Sequence, residues 1–157
     1  MFAVLNQPGR RSLLLNLLAA LGAVLAVNGL IFVMAWDQVS ATSQAPPGSL
    51  VGSVWVVLFV LMATARWQLN AYSAKQAATA RNWVTILMLS CLLYPFYALA
   101  LHSQIGGLLG NVGTIALTIF VVTQAWSISK PTALLMLPVA LWVAFATVTV
   151  VKDLGWL

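Results

Sequence analysis

The sequence predicts an all-α integral membrane protein: one membrane domain, residues 1–157, built as a bundle of five transmembrane helices. Three observations carry this expectation. Hydrophobic residues make up 62% of the chain, charged residues only 6%, and the mean hydropathy is +1.01; in soluble domains about a quarter of residues are charged. The few charges, prolines and polar clusters divide the chain into apolar runs of about 20 residues, the length at which a helix crosses the hydrocarbon core. The basic residues fall almost entirely at alternate ends of those runs.

The first span is expected from about Ser12 to Ala35, between the pair Arg10-Arg11 and Asp37. A signal peptide would have an apolar region of about 7 to 15 residues, and the run after Arg11 is much longer, so this helix reads as retained. The second span, about Ser49 to Leu69, is entered through Pro46 and Pro47, which suit a helix start because proline has no N–H to leave unpaired. Ala71 to Arg81 is alanine-rich, carries Lys75 and Arg81, and reads as a wet connection. The charge-free stretch from Asn82 to Ser129 is too long for one crossing, and the polar run His102 to Gly107 divides it. That gives a third span near Trp83 to Leu101 and a fourth near Asn111 to Ile128. The fifth follows Lys130-Pro131, from Thr132 to Val151.

Arg10, Arg11, Arg66, Lys75, Arg81 and Lys130 then share one side, and the other holds only Lys152, next to Asp153. Basic residues favour the cytoplasmic side, so the N-terminus is expected inside and the C-terminus outside, in an inner or cytoplasmic membrane. The net charge of +5 is read as a topology signal, not as a nucleic-acid surface.

Little in the chain points to conventional catalysis. Cys91, the single cysteine, has no disulfide partner and reads as a small packing residue. His102, at the outer end of the third span, reads as a solvated end residue rather than a haem or metal ligand, and no metal site is expected. Intramembrane ionisable residues mark proton and ion pathways, and the span interiors lack a buried acid or base. No Ser/His/Asp set, paired carboxylate or phosphate loop is visible. Small residues at four-residue spacing, Ala19/Ala23 and Gly22/Ala26, would let helices approach closely. Trp36, Trp83 and Trp156 lie near span ends, where indoles anchor at the interface. Trp55 and Trp142 differ: they sit inside their spans, about 12 Å and 14 Å from the outer end. Matching depth suits either a flat ligand between the second and fifth helices or ordinary core and lipid-facing aromatics.

At these residues the chain resembles the TspO/MBR family, the tryptophan-rich sensory proteins. The family's second-helix pattern, P-P-x-W-x-F-x-x-x-W-T-x-L-Y-x-L-M-G, is matched by Pro46, Pro47, Trp55, Leu58, Phe59, Leu61 and Met62. Its fifth-helix pattern, A-x-L-L-x-P-Y-L-x-W-x-x-F-A, is matched by Ala133, Leu135, Pro138, Trp142, Phe145 and Ala146. Pro95 and Tyr97 align with the third-helix pattern, where Ser90 and Leu93 replace the family's asparagine and tryptophan. Ser49, Val51 and Val139 replace further family aromatics, and Thr147 to Val150 depart from its closing pattern.

The resemblance implies a five-helix bundle, often dimeric, with an outward-side cavity under the first loop that binds porphyrin, haem or similar flat hydrophobic ligands. Ligand contacts are expected from Trp55, Phe59, Trp142, Phe145, Ala146 and Tyr97, with Tyr94 and Asn28 as further donors. Pro46, Pro47, Pro95 and Pro138 are expected to be structural. The Ser/Thr/Gln-rich stretch Asp37 to Ala45 is long enough for a lid. No cofactor is required beyond such a bound ligand, and the expected partners are the bilayer, the ligand and a second copy of the chain. Two alternatives accompany this reading: Trp142 taking part in light-dependent porphyrin oxidation, and a membrane adaptor that keeps the fold without a working pocket.

Overall fold

A computed structural model describes residues 2–36 and 46–157; the expected lid, Asp37 to Ala45, lies outside the described residues. The described helices are α1 (Phe2–Leu5), α2 (Arg10–Val33), α3 (Gly48–Gln68), α4 (Lys75–Ala98), α5 (Gln104–Trp126), α6 (Lys130–Leu134) and α7 (Leu137–Asp153). α2, α3, α4 and α5 are the first four spans, and α6 with α7 forms the fifth. Four of the five are long and apolar enough to cross a membrane by composition alone; α4 is diluted by Lys75 and Arg81 in its first two turns. α2 packs on α3 and α4, α4 on α5, and α5 on both α6 and α7. Phe59, Met62, Leu87, Val121, Met136 and Val139 fill the fully buried centre.

Helix ends follow local chemistry. Pro47 stands just before α3 in an extended conformation, and its carbonyl accepts from the amides of Leu50 and Val51 at 2.9 and 3.1 Å. The Ser103 hydroxyl caps α5 by accepting from the Gly106 amide at 3.0 Å, so the glycine-rich stretch expected as a loop becomes the helix's first turn. α4 likewise starts at Lys75, earlier than the expected Trp83. Arg81 is held there by donating from Nη1 to Asn70 Oδ1 at 3.0 Å, and Ala77 and Ala80 are buried. Only Leu69–Ala71, a short 3-10 turn, and the residues up to Ala74 form the connection.

The fifth span is broken. Pro138 has no N–H to give to the carbonyl of Leu134, and the chain bridges the gap with tighter turns, from the Met136 amide to Ala133 O and from the Val139 amide to Met136 O, both at 3.1 Å. Pro95 sits one turn before the end of α4 and withholds a donor from the Cys91 carbonyl; its own carbonyl accepts from Leu99 and Ala100 at 3.0 and 2.9 Å. The expected close approaches along α2 fall elsewhere. Gly22 and Gly29 face open space, whereas the buried stripe is Ser12, Asn16, Ala20 and Val24. α2 comes close to α3 at Gly52, whose carbonyl accepts from Asn28 Nδ2 at 3.2 Å.

A polar clamp closes the end of the bundle that carries the basic residues. The Leu5 carbonyl accepts from Ser12 Oγ, Asn16 Nδ2, Asn70 Nδ2 and Arg66 Nη1, at 3.0, 3.0, 2.9 and 3.3 Å. Arg66 also donates from Nη1 to Asn16 Oδ1, from Nε to Thr85 Oγ1 and from Nη2 to Asn6 Oδ1. The Trp67 indole N–H reaches the Gly9 carbonyl at 3.0 Å. One arginine thus ties the N-terminal segment, α2, α3 and α4 together. Hydrogen bonds to a charged donor are each worth about 1.5–3 kcal/mol net. Arg66→Ala is therefore expected to lower stability by about 3 kcal/mol or more, read as an earlier thermal unfolding in detergent, together with faster proteolysis ahead of Arg10. An unchanged unfolding temperature would remove the clamp as a stabilising element.

Candidate functional site

α3 and the last span run antiparallel. α3 packs against α6, but beyond the break α7 stands farther from α3, and the gap is an open groove of about 450 Å³. Its walls are Val54, Val57, Leu58 and Leu61 from α3 and Pro138, Leu141, Trp142 and Phe145 from α7. Each helix contributes positions i, i+3, i+4 and i+7, which is one face of an α-helix. The lining is entirely apolar in residue type. Val57, Leu141 and Phe145 are exposed along it, whereas Leu58 forms a buried floor. The groove lies near mid-height of both spans and opens sideways, to what would be lipid.

Trp142 and Phe145 form its aromatic ledge, with ring centroids 5.5 Å apart and planes 33° from parallel. The other expected contacts are placed differently. Trp55 and Phe59 lie tilted to one another at 6.2 Å; Phe59 is fully buried, and the half-buried Trp55, which packs against the core as Trp142 also does, is not among the groove's lining residues. Ala146 is half-buried on α7 beside the lining residue Phe145. Tyr97 belongs to the α4–α5 seam, where it packs edge-on with Tyr94 at 5.6 Å and presses its hydroxyl onto Gly110. Among the structural prolines, Pro138 both breaks the last span and lines the groove. Two expected interface anchors are engaged by other rings, Trp36 by Phe96 at 5.7 Å and Trp83 by Phe120 at 4.9 Å.

Sequence reading missed Val54, Val57, Leu58, Leu61 and Leu141 as lining residues. Their four-point spacing is a signal, but in helices apolar on every side it does not stand out. Cys91 is buried in the core, His102 is exposed at the turn before α5, and the described residues hold no group of three metal-ligating side chains. Among the described residues no histidine, cysteine, methionine or tyrosine lines the groove. It can hold a ligand by shape, stacking and apolar burial, without coordination to a central metal.

Fold and groove define a multi-pass, all-helical membrane protein with a lateral apolar cleft against its fifth span. The TspO/MBR family model matches residues 12–153, and the chain belongs to the TspO/MBR family. That membership supports a sensor- or receptor-type role in the membrane. No curated protein matches the chain.

The Tyr97 placement has a direct check. A Cβ at Gly110 would overlap the Tyr97 hydroxyl and ring, so Gly110→Ala is expected to cost about 1–3 kcal/mol by overpacking. Adding Tyr97→Ala should cost less than the two changes summed, because the clash is gone. Strict additivity in detergent unfolding would place Tyr97 away from α5.

Proposed function

We propose that this protein is a membrane receptor or sensor for a flat, apolar ligand of the tetrapyrrole class, porphyrin or haem, seated between α3 and α7. The observation that carries the reading is the groove with Trp142 and Phe145 along one wall. Its volume falls within the 300–1,000 Å³ usual for small-molecule sites, and a fully buried aromatic contributes on the order of a few kcal/mol through area and stacking. A ligand dissolved in the bilayer would enter from the side, with its carboxylates directed along the groove toward the outer headgroups. The lining offers no axial ligand, so stacking and burial hold the ring, and metal-free porphyrin and haem are expected to bind alike.

The test is tryptophan-fluorescence quenching of the detergent-solubilised protein titrated with protoporphyrin IX. Saturable micromolar quenching is expected. Trp142→Ala should weaken binding by about tenfold, the equivalent of roughly 1.4 kcal/mol, whereas Trp83→Ala, on the α4–α5 side, should leave it unchanged. Linear quenching in all three proteins, or equal losses in the two variants, would overturn the assignment.

A further inference from the structure

The basic end of the bundle holds more charge than topology requires. Topology-setting residues usually sit in loops, but Arg66 and Arg81 lie within α3 and α4 and converge on one network. Arg66 donates to Leu5 O, Leu5 O accepts from Asn70, and Asn70 Oδ1 accepts from Arg81. Every acceptor in this chain of contacts is a neutral oxygen. The sequence has two acids, Asp37 and Asp153; Asp153 ends α7 at the opposite end of the bundle, and Asp37 follows the far end of α2 in sequence. Two guanidinium charges therefore share one network with no carboxylate among the described residues to balance them.

Their hydrogen bonding is unequal. Arg66 engages all three of its nitrogens, whereas among the described residues Arg81 has one acceptor, Asn70 Oδ1, and its buried Nε has none. Its Nη2 makes no hydrogen bond to the described residues and is not buried, so this nitrogen is the one open to an outside acceptor. Exposed Lys75 opens the same helix, whose first turn has no side-chain cap and no acid; an uncapped helix N-terminus favours anions. Farther along α4, exposed Ile86, Leu89 and Leu93 present apolar surface on the helix face that carries Lys75.

We propose that this end of the bundle is a binding site for the phosphate of an anionic phospholipid. Arg81 is the direct partner of the phosphate, Lys75 stands at the rim, and Arg66 adds positive potential while holding the clamp. The lipid's acyl chains lie along Ile86, Leu89 and Leu93 of α4. Charge complementarity and the level of the network, where the spans leave the hydrocarbon, favour a headgroup over a soluble anion. Basic sites between transmembrane helices hold such headgroups, each cation near the surface adding about fivefold in affinity. This site is separate from the groove between α3 and α7, and its test does not depend on tetrapyrrole binding.

The test offers the delipidated full-length protein an equal mixture of phosphatidylglycerol and phosphatidylcholine and counts retained lipids by native mass spectrometry. Phosphatidylglycerol should be retained about fivefold or more over phosphatidylcholine. Arg81→Gln should lose most of that preference, Lys75→Gln should lose about two- to threefold, and Lys152→Gln, at the opposite end, should match the parent. Equal retention of the two lipids by the parent protein overturns the proposal. So does an undiminished preference in folded Arg81→Gln; if that variant does not fold, an undiminished preference in Lys75→Gln overturns it. If millimolar inorganic phosphate raises the unfolding temperature by itself and erases the preference, the site belongs to free phosphate and the lipid assignment falls.

Discussion

Hydrocarbon offers no partner to a backbone polar group, so each crossing must satisfy its own amides and carbonyls. The shape of this bundle follows from the places where proline prevents that. Pro138 cannot donate to Leu134, the fifth span divides into α6 and α7, and the chain is redirected at the break. α6 stays against α3 while α7 stands off from it. The groove opens beyond that break, and Pro138 itself lies in its wall. Pro95 lacks the same donor without such an effect because it stands one turn from the end of α4, where little helix remains to redirect.

At the basic end the opposite logic operates. Arg66 is held by neutral oxygens from the N-terminal segment, α2 and α4. A carboxylate there would cancel the charge, whereas amide and carbonyl oxygens solvate the guanidinium and leave its charge intact. The clamp can therefore fasten helices and keep a positive potential at the same time. Thr132 provides a smaller, uncharged tie at this end, donating to Gln68 Oε1 at 2.8 Å and joining α6 to the end of α3.

The five crossings were legible because charges and prolines interrupt apolar runs so rarely, and the family patterns placed Pro138 and Trp142 in their helix. Two kinds of information were not legible. The start of α4 was hidden because Lys75 and Arg81 read as solvent-exposed, and only the contact of Arg81 with Asn70 shows how the cation is held at the helix. The facing of side chains was hidden because the helices are apolar all round: each residue turns about 100° from the last, so Trp55 sits beside the lining residue Val54 yet is not itself in the lining. Trp142 and Phe145 stand out in the sequence as aromatics at a motif, whereas Val57 and Leu61, which line the groove with them, look like any lipid-facing residues. Tyr97 was read as a ligand donor from its polarity; Gly110, 13 positions later on α5, makes the hollow that receives it.

The clamp also bears on how the chain is made. Asn16 enters the bilayer on a largely apolar helix, and its partners already synthesised are Leu5 and Ser12, whose carbonyls accept from its amide at 3.0 and 2.8 Å. Its Oδ1 has to wait for Arg66, 50 residues later, and Arg66 in turn waits for Thr85, another 19 residues on. Until α4 has emerged from the ribosome, α2 and α3 form a nascent hairpin with an incompletely solvated cation. A chain that stops before the third crossing therefore lacks the acceptor that completes the clamp around Arg66.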